Sequence, residues 1–273
     1  MAPLPMTDSA TALAADSTAT LTWYCGSIRP YASLWHTLMR VATLNGHKAG
    51  ELPGWPAGLT ATRLHHPNLH PLFNPRDAFN TAALAHALGE QPEVFRWAHL
   101  GALPSWMRPL VAPGFRVCLA CLDEGYHSAL FSLRLLQDCP IHRLPLLERC
   151  RCGRAFPDKL TTADLNLRGC CPCGQFTFFS PEVCRVPSLS SNQAQALDAL
   201  VLWLDQLSRV VRASSWRELA PLTRVETAQR RVWELSDALG LAYPHCLARQ
   251  SDPKTPVWCS ASPAHPHLAP ASS

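Results

Sequence analysis

The stretch RVCLACLDEGYHSALFSLRLLQDCPIHRLPLLERCRCG, residues 116–153, holds five cysteines and a Cys-Pro-Ile-His step, and the use made of its thiols decides the fold. Two residues separate Cys118 from Cys121, and two separate Cys139 from His142. That spacing lets a tight turn aim two side chains at one ion, and two such knuckles complete a Cys₃His shell. A shell with four protein ligands leaves no position for a water, so the expected role is structural rather than hydrolytic. Between the two halves, Tyr126, Leu130, Leu133 and Leu136 fit a helical stripe.

A second pattern follows at once. Cys150-Arg-Cys152-Gly153 is repeated as Cys171-Pro-Cys173-Gly174, and a glycine after a ligand lets backbone N–H groups turn toward a thiolate. Cys150, Cys152, Cys171 and Cys173 are therefore expected to form a Cys₄ ribbon, with the adjacent Cys170 as the alternative to Cys171. Eight of the twelve cysteines fall between 118 and 173, which favours one shared use over scattered thiols. Disulfides are the competing use. They suit exported chains, but the opening MAPLPMTDSATALAADSTAT has no basic stretch and no apolar run of a signal peptide, and Cys-x-Cys pairs are too close to bridge comfortably. Two Zn²⁺ per chain are expected, supplying stability that a short, loop-rich segment cannot draw from a core of its own. Cys25, Cys184, Cys246 and Cys259 are expected to be buried or idle.

Working outward, residues 33–46 (SLWHTLMRVATLNG) read as a helix. Ser33 is its N-cap, Asn45-Gly46 its stop, and Leu34, Leu38, Val41 and Ala42 its apolar face. His65, His66 and His70 read as a polar loop rather than a ligand set, and His265 and His267 as polar residues of a tail. Residues 81–100 (TAALAHALGEQPEVFRWAHL) read as a helix-turn-helix-like unit. A compact face of Leu84, Ala85 and Leu88 leads to Gly89 in the turn, and Pro92 opens a second helix with Phe95 and Ala98 or His99 inward. Its outward side, Gln91, Glu93 and Arg96, offers types that meet base edges or phosphates, so these three are the candidate DNA contacts.

Beyond Ser190 the pattern is helical again. Ala194, Leu197, Leu200, Val201, Leu204 and Leu207 share one side, and Val225, Ala228, Val232 and Leu235 point inward on a further helix over 224–239. The arginines here alternate with carboxylates and read as a mixed solvated surface. The formal charge of +4 falls to about +1 once seven cysteines bind two Zn²⁺ as thiolates, so net charge gives nucleic-acid binding little support. No phosphate-cradling GxxxxGK loop, no GxSxG elbow and no carboxylate set for two catalytic metals is present, and the chain reads as a non-enzyme.

The phrase Arg116-Val-Cys118-Leu-Ala-Cys121-Leu122, then Tyr126-His127, Cys139-Pro-Ile-His142, Leu146-Leu147 and Cys150-Arg-Cys152-Gly153 resembles the TniQ family, the target-selection proteins of bacterial transposons. Residues 29–46 (RPYASLWHTLMRVATLNG) are similar to that family's opening, and the likeness covers roughly residues 22–180. Leu119 stands where the family phrase has proline, and Phe131 where its helix has tryptophan. The resemblance implies a cytoplasmic, bacterial accessory protein of DNA transposition. Such a protein marks the target, recruits an AAA+ ATPase that activates a separate transposase, and binds DNA directly or docks as a homodimer on an RNA-guided complex. A stand-alone helix-turn-helix and zinc transcriptional regulator is the alternative. The expected fold is mainly α with two small zinc-ribbon or knuckle modules and a helix-turn-helix-like N-terminal part. Its expected parts are a disordered tail (1–20), a helical region (21–110), a double zinc module (111–185), a C-terminal helical region (186–250) and a second tail (251–273). No apolar run is long enough for a membrane span.

Overall fold

The computed structural model describes residues 21–46, 80–156, 171, 173, 191–213 and 224–247. The expected tails, His65, His66, His70, His265, His267, Cys170, Cys184 and Cys259 lie outside the described residues. Among those described, the regular elements are all helical. α1 spans Leu34–Leu44, α2 Thr81–Leu88, α3 Leu119–Asp123, α4 Ser191–Ala213 and α5 Val225–Ala238, with single 3-10 turns between them. Extended backbone meets only in isolated antiparallel bridges, and no sheet forms among the described residues. No helix there is long and apolar enough to cross a membrane.

α1 is the centre of the molecule. Ser33 caps it as expected, its Oγ accepting the His36 N–H at 3.1 Å. Asn45 ends it and also ties down the chain before it. Its Nδ2 donates to the carbonyls of Val41 (2.8 Å) and Thr22 (3.1 Å), and its Oδ1 accepts the Thr22 N–H at 2.7 Å. Leu34, Leu38, Val41 and Ala42 are buried, but so is every other residue from Leu34 to Ala42, including His36 and Arg40. A helix buried on all sides carries polar groups inward, and each then needs a partner. Arg40 donates to the Ser27 carbonyl at 3.0 Å and lies over the Trp23 ring at 5.0 Å.

α2 follows its sequence closely. Asn80 accepts the Ala83 N–H, Gly89 takes the left-handed conformation at φ 65° after the last turn, and Leu84, Ala85 and Leu88 are buried. The second helix expected from Pro92 is a correction: it is one 3-10 turn, Pro92–Phe95, after which the chain bends. Phe95, Trp97, Ala98 and Leu100 are all buried, and no straight helix buries that set on one stripe. The turn packs against α2, and the next 3-10 stretch, Ser105–Leu110, packs against α5.

The stripe of Tyr126, Leu130, Leu133 and Leu136 is fully buried, but it too is not helical beyond the 3-10 turn Ala129–Ser132. Arg116 explains why. Its buried guanidinium donates through Nη1 to the carbonyls of Leu133 (2.9 Å) and Leu136 (2.6 Å), with Phe131 at 3.4 Å, taking acceptors that a helix would have used for itself. Nε of Arg116 lies 3.1 Å from Glu148 Oε1, which supplies the counter-charge.

α4 buries Leu197, Leu200, Val201, Trp203, Leu204 and Leu207, and α5 buries Ala228, Val232 and Leu235, as the periodicity predicts; Ala194 and Val225 are only half-buried. One apolar cluster joins α1, α2, the cysteine-rich segment, α4 and α5. Cys118, Cys121 and Cys139 sit inside it. The first set of thiols is thus embedded in a hydrophobic core and does not stand in place of one.

Candidate metal centres

Two groups of four donors come together, Cys118, Cys121, Cys139 and His142 in one and Cys150, Cys152, Cys171 and Cys173 in the other. Within each, all ligand atoms lie within 4.8 Å of one another. Each group could hold one metal ion.

In the first, Cys118 stands at the N-terminus of α3 and Cys121 within it, which places both sulfurs on one side of a single short turn. Cys139 and His142 lie on a second turn, closed by the Cys139 N–H to Leu144 carbonyl bond and the Asp138–Pro145 bridge. The Val117–Leu147 bridge brings the turns together. His142 Nδ1 is 3.2 Å from Cys121 Sγ, 3.6 Å from Cys118 Sγ and 3.9 Å from Cys139 Sγ, and Cys121 and Cys139 Sγ are 3.6 Å apart. Ligands held tetrahedrally on zinc at Zn–S ~2.3 Å and Zn–N ~2.0 Å lie roughly 3.5–3.8 Å from one another. The donor set fits. A disulfide would need sulfurs at about 2.05 Å, and these cysteines are free.

The histidine is oriented from behind. Its Nε2 is 3.2 Å from Glu124 Oε1, so Nε2–H donates to the carboxylate and Nδ1 keeps its lone pair for the ion. Glu124 is positioned in turn by Arg29, whose Nη2 donates to the Glu124 carbonyl at 2.9 Å. Thiol protons from Cys121, then Cys139, hold Cys118 down at about 2, and the same sharing pushes Cys121 up. A divalent cation bound there would displace the thiol protons.

In the second group, Cys150 and Cys173 Sγ are 3.5 Å apart, as are Cys152 and Cys171 Sγ. Cys150 and Cys171 are buried, whereas Cys152 and Cys173 are exposed. Cys171 occupies the position for which Cys170 was the alternative. Gly153, directly after a ligand, has φ 83°, a conformation that a side chain would strain. The N–H of Arg154 points at Cys152 Sγ and holds that thiol down at about 7. The same device recurs on both centres: N–H groups of Cys121, His142, Cys152 and Cys173 point at the sulfurs of Cys118, Cys139, Cys150 and Cys171.

Gln91, Glu93 and Arg96, the candidate DNA contacts, are exposed on and beside the Pro92–Phe95 turn. Arg96 is engaged within the molecule, its Nη2 2.8 Å from Asp205 on α4. Cys25 is exposed and donates to the Gly89 carbonyl at 2.7 Å, and Cys246 is half-buried; neither joins a donor set. Glu124 is the site residue that spacing alone does not reveal, since it depends on α3 ending where it does. No family model, curated protein or solved structure matches the chain.

Proposed function

We propose that this chain is a zinc-stabilised, non-catalytic adaptor of DNA transposition that marks a target and recruits an AAA+ ATPase and a separate transposase. The observation that carries the reading is the pair of closed four-donor sets, built from the residues of the 116–153 phrase that resembles the TniQ family, plus Cys171 and Cys173. Zinc suits both sets, because sulfur-rich tetrahedral shells with one imidazole or none are its structural preference. Four protein ligands per ion leave scaffold as the role of the metal, and the work then falls to surfaces that touch DNA, an ATPase, an RNA-guided complex or a second copy of the chain.

A stand-alone regulator would read an operator through Gln91, Glu93 and Arg96. A single 3-10 turn offers no recognition helix to a major groove, and the Asp205 contact offsets the Arg96 charge, so the adaptor is the better reading. The test is an insertion assay with the neighbouring ATPase and transposase. Leaving out this chain, or supplying Cys118→Ser, abolishes insertion at the preferred site, while the purified chain neither cleaves DNA nor hydrolyses ATP. Insertion at the same site and frequency without the chain overturns the reading, as does tight binding to one promoter that Arg96→Ala removes.

A further inference from the structure

Arg149, Arg151 and Arg154 lie on the hairpin that presents Cys150 and Cys152, closed by the Arg149–Ala155 bridge, and all three are exposed. Glu148, next to Arg149 in sequence, is already committed to the buried Arg116 guanidinium at 3.1 Å. Among the described residues no carboxylate pairs with the three arginines. Arg149 Nη1 donates to the Gly153 carbonyl at 3.1 Å, which orders the side chain and leaves its charge uncompensated.

A Zn²⁺ held by four thiolates carries two formal negative charges, and arginines near it could serve only to offset them. Backbone N–H groups already serve the sulfurs of Cys150, Cys152 and Cys171, and three guanidinium groups exceed that charge. The hairpin also borders a cleft of about 400 Å³ whose lining includes Phe115, Glu148, Arg149 and Phe156, Arg149 being its basic residue among those described. A protein partner would need an apolar anchor at the centre of its footprint. Among the described residues the exposed large apolar side chains are Tyr24, Leu144 and Leu202, and none of them is on the hairpin. Guanidinium forks without an apolar centre match the phosphate backbone of a nucleic acid.

We propose that Arg149, Arg151 and Arg154 form the duplex-DNA contact of this chain, holding the phosphate backbone along the second metal knuckle and past the adjoining cleft. The Gln91–Arg96 segment is then not the contact. This inference rests on the adaptor reading for its choice of DNA.

The experiment uses the full-length, zinc-loaded chain and fluorescence anisotropy with a short random-sequence duplex, over a salt series from about 50 to 200 mM. The triple variant Arg149→Gln, Arg151→Gln, Arg154→Gln is expected to bind about tenfold or more weakly at low salt. Its slope of log affinity against log salt should fall by roughly two to three, near 0.9 per phosphate contact. Zinc content and melting temperature stay unchanged, and Arg96→Gln binds as wild type. Wild-type affinity and slope in the triple variant overturn the proposal, and so does easier loss of zinc, which would assign the arginines to the thiolate charge. Binding of wild type to polyglutamate but not to duplex overturns it too. If wild type binds duplex through these arginines while insertion proceeds without the chain, the DNA surface stands and the transposition reading falls.

Discussion

His142 is held from both ends, Nδ1 among three sulfurs and Nε2 against Glu124, and that double hold is a property of single residues. Replacing Glu124 with Gln keeps the size and removes the charge that fixes the ring tautomer. Loss of such an outer carboxylate typically costs 10–100-fold in metal affinity. Glu124→Gln should release zinc to a competing chelator at correspondingly lower chelator concentration with the fold intact, and unchanged zinc affinity would remove the role. His127 is a fully buried histidine outside both donor sets. His127 sits among Trp35, Phe115 and Phe131, its Nδ1 2.8 Å from Ser33 Oγ and its Nε2 3.2 Å from the Arg116 carbonyl, and burial pushes it down to about 4. The unfolded chain takes that proton near 6.5, so between about 6.5 and 4 the unfolded state binds more protons. The contribution of this residue should be constant above pH 7 and be lost through that window, by on the order of 3 kcal/mol. Acid release of zinc is common to wild type and variant, so a shallower pH slope for His127→Gln in urea unfolding isolates the effect. Spacing showed the cysteines and His142 because ligands on one turn are local in sequence. Glu124 and His127 act across packed elements, and neither contact leaves a local signature.

At the scale of elements, capping was legible and helix length was not. Ser33, Asn45 and Gly89 each satisfy or release backbone groups within a few residues of themselves, so α1 begins and ends, and α2 ends, where the sequence marks them, while the Asn80 cap of α2 comes from the structure. Ser33 does more than cap. Its hydroxyl accepts from the His36 N–H and donates to His127 Nδ1, joining α1 to the segment after α3. Ser33→Ala should cost about 1–3 kcal/mol, the cap together with a buried imidazole nitrogen left without its donor. Ser33→Thr, which keeps the hydroxyl, should recover part of it, and equal losses in the two variants would show that the hydroxyl is not the cause. The segments read as longer helices fail for a common reason. From Tyr126 to Leu136 every side chain but Arg134 is buried, and from Phe95 to Leu100 every one but Arg96 and His99, and burial on more than one stripe is compatible with bends that expose carbonyls to a partner such as Arg116. Apolar spacing of three and four residues could not separate a helix from successive tight turns, because both place such residues inward.

The molecule as a whole joins its two candidate metal sites to the core in unequal ways. Cys118, Cys121 and Cys139 are fully buried within the cluster that includes α1, α4 and α5, whereas Cys152 and Cys173 are exposed at the surface. Removing the first ion would leave three thiols and an imidazole repelling or unpaired inside the packed interior. Binding energy at that centre is therefore folding energy for all the elements that share the cluster. The second donor set lies on a hairpin that sends Cys150 and Phe156 into that cluster, as Cys171 does from across the site. A chelator titration should accordingly proceed in two steps. If both sets hold zinc as proposed, the ion at the exposed set leaves first, with little change in near-ultraviolet circular dichroism from Trp35, Trp106 and Trp203, which are buried in the core. The buried zinc leaves second, at higher chelator concentration, and the tryptophan signal and the protease resistance of α1 collapse with it. Cys152→Ser should abolish the first step alone, and Cys121→Ser should yield a chain that does not fold to the native state. Simultaneous release of both ions, or retention of the tryptophan signal after both have gone, would mean that the interior packs without its metal and that the two knuckles are appendages to the helical core.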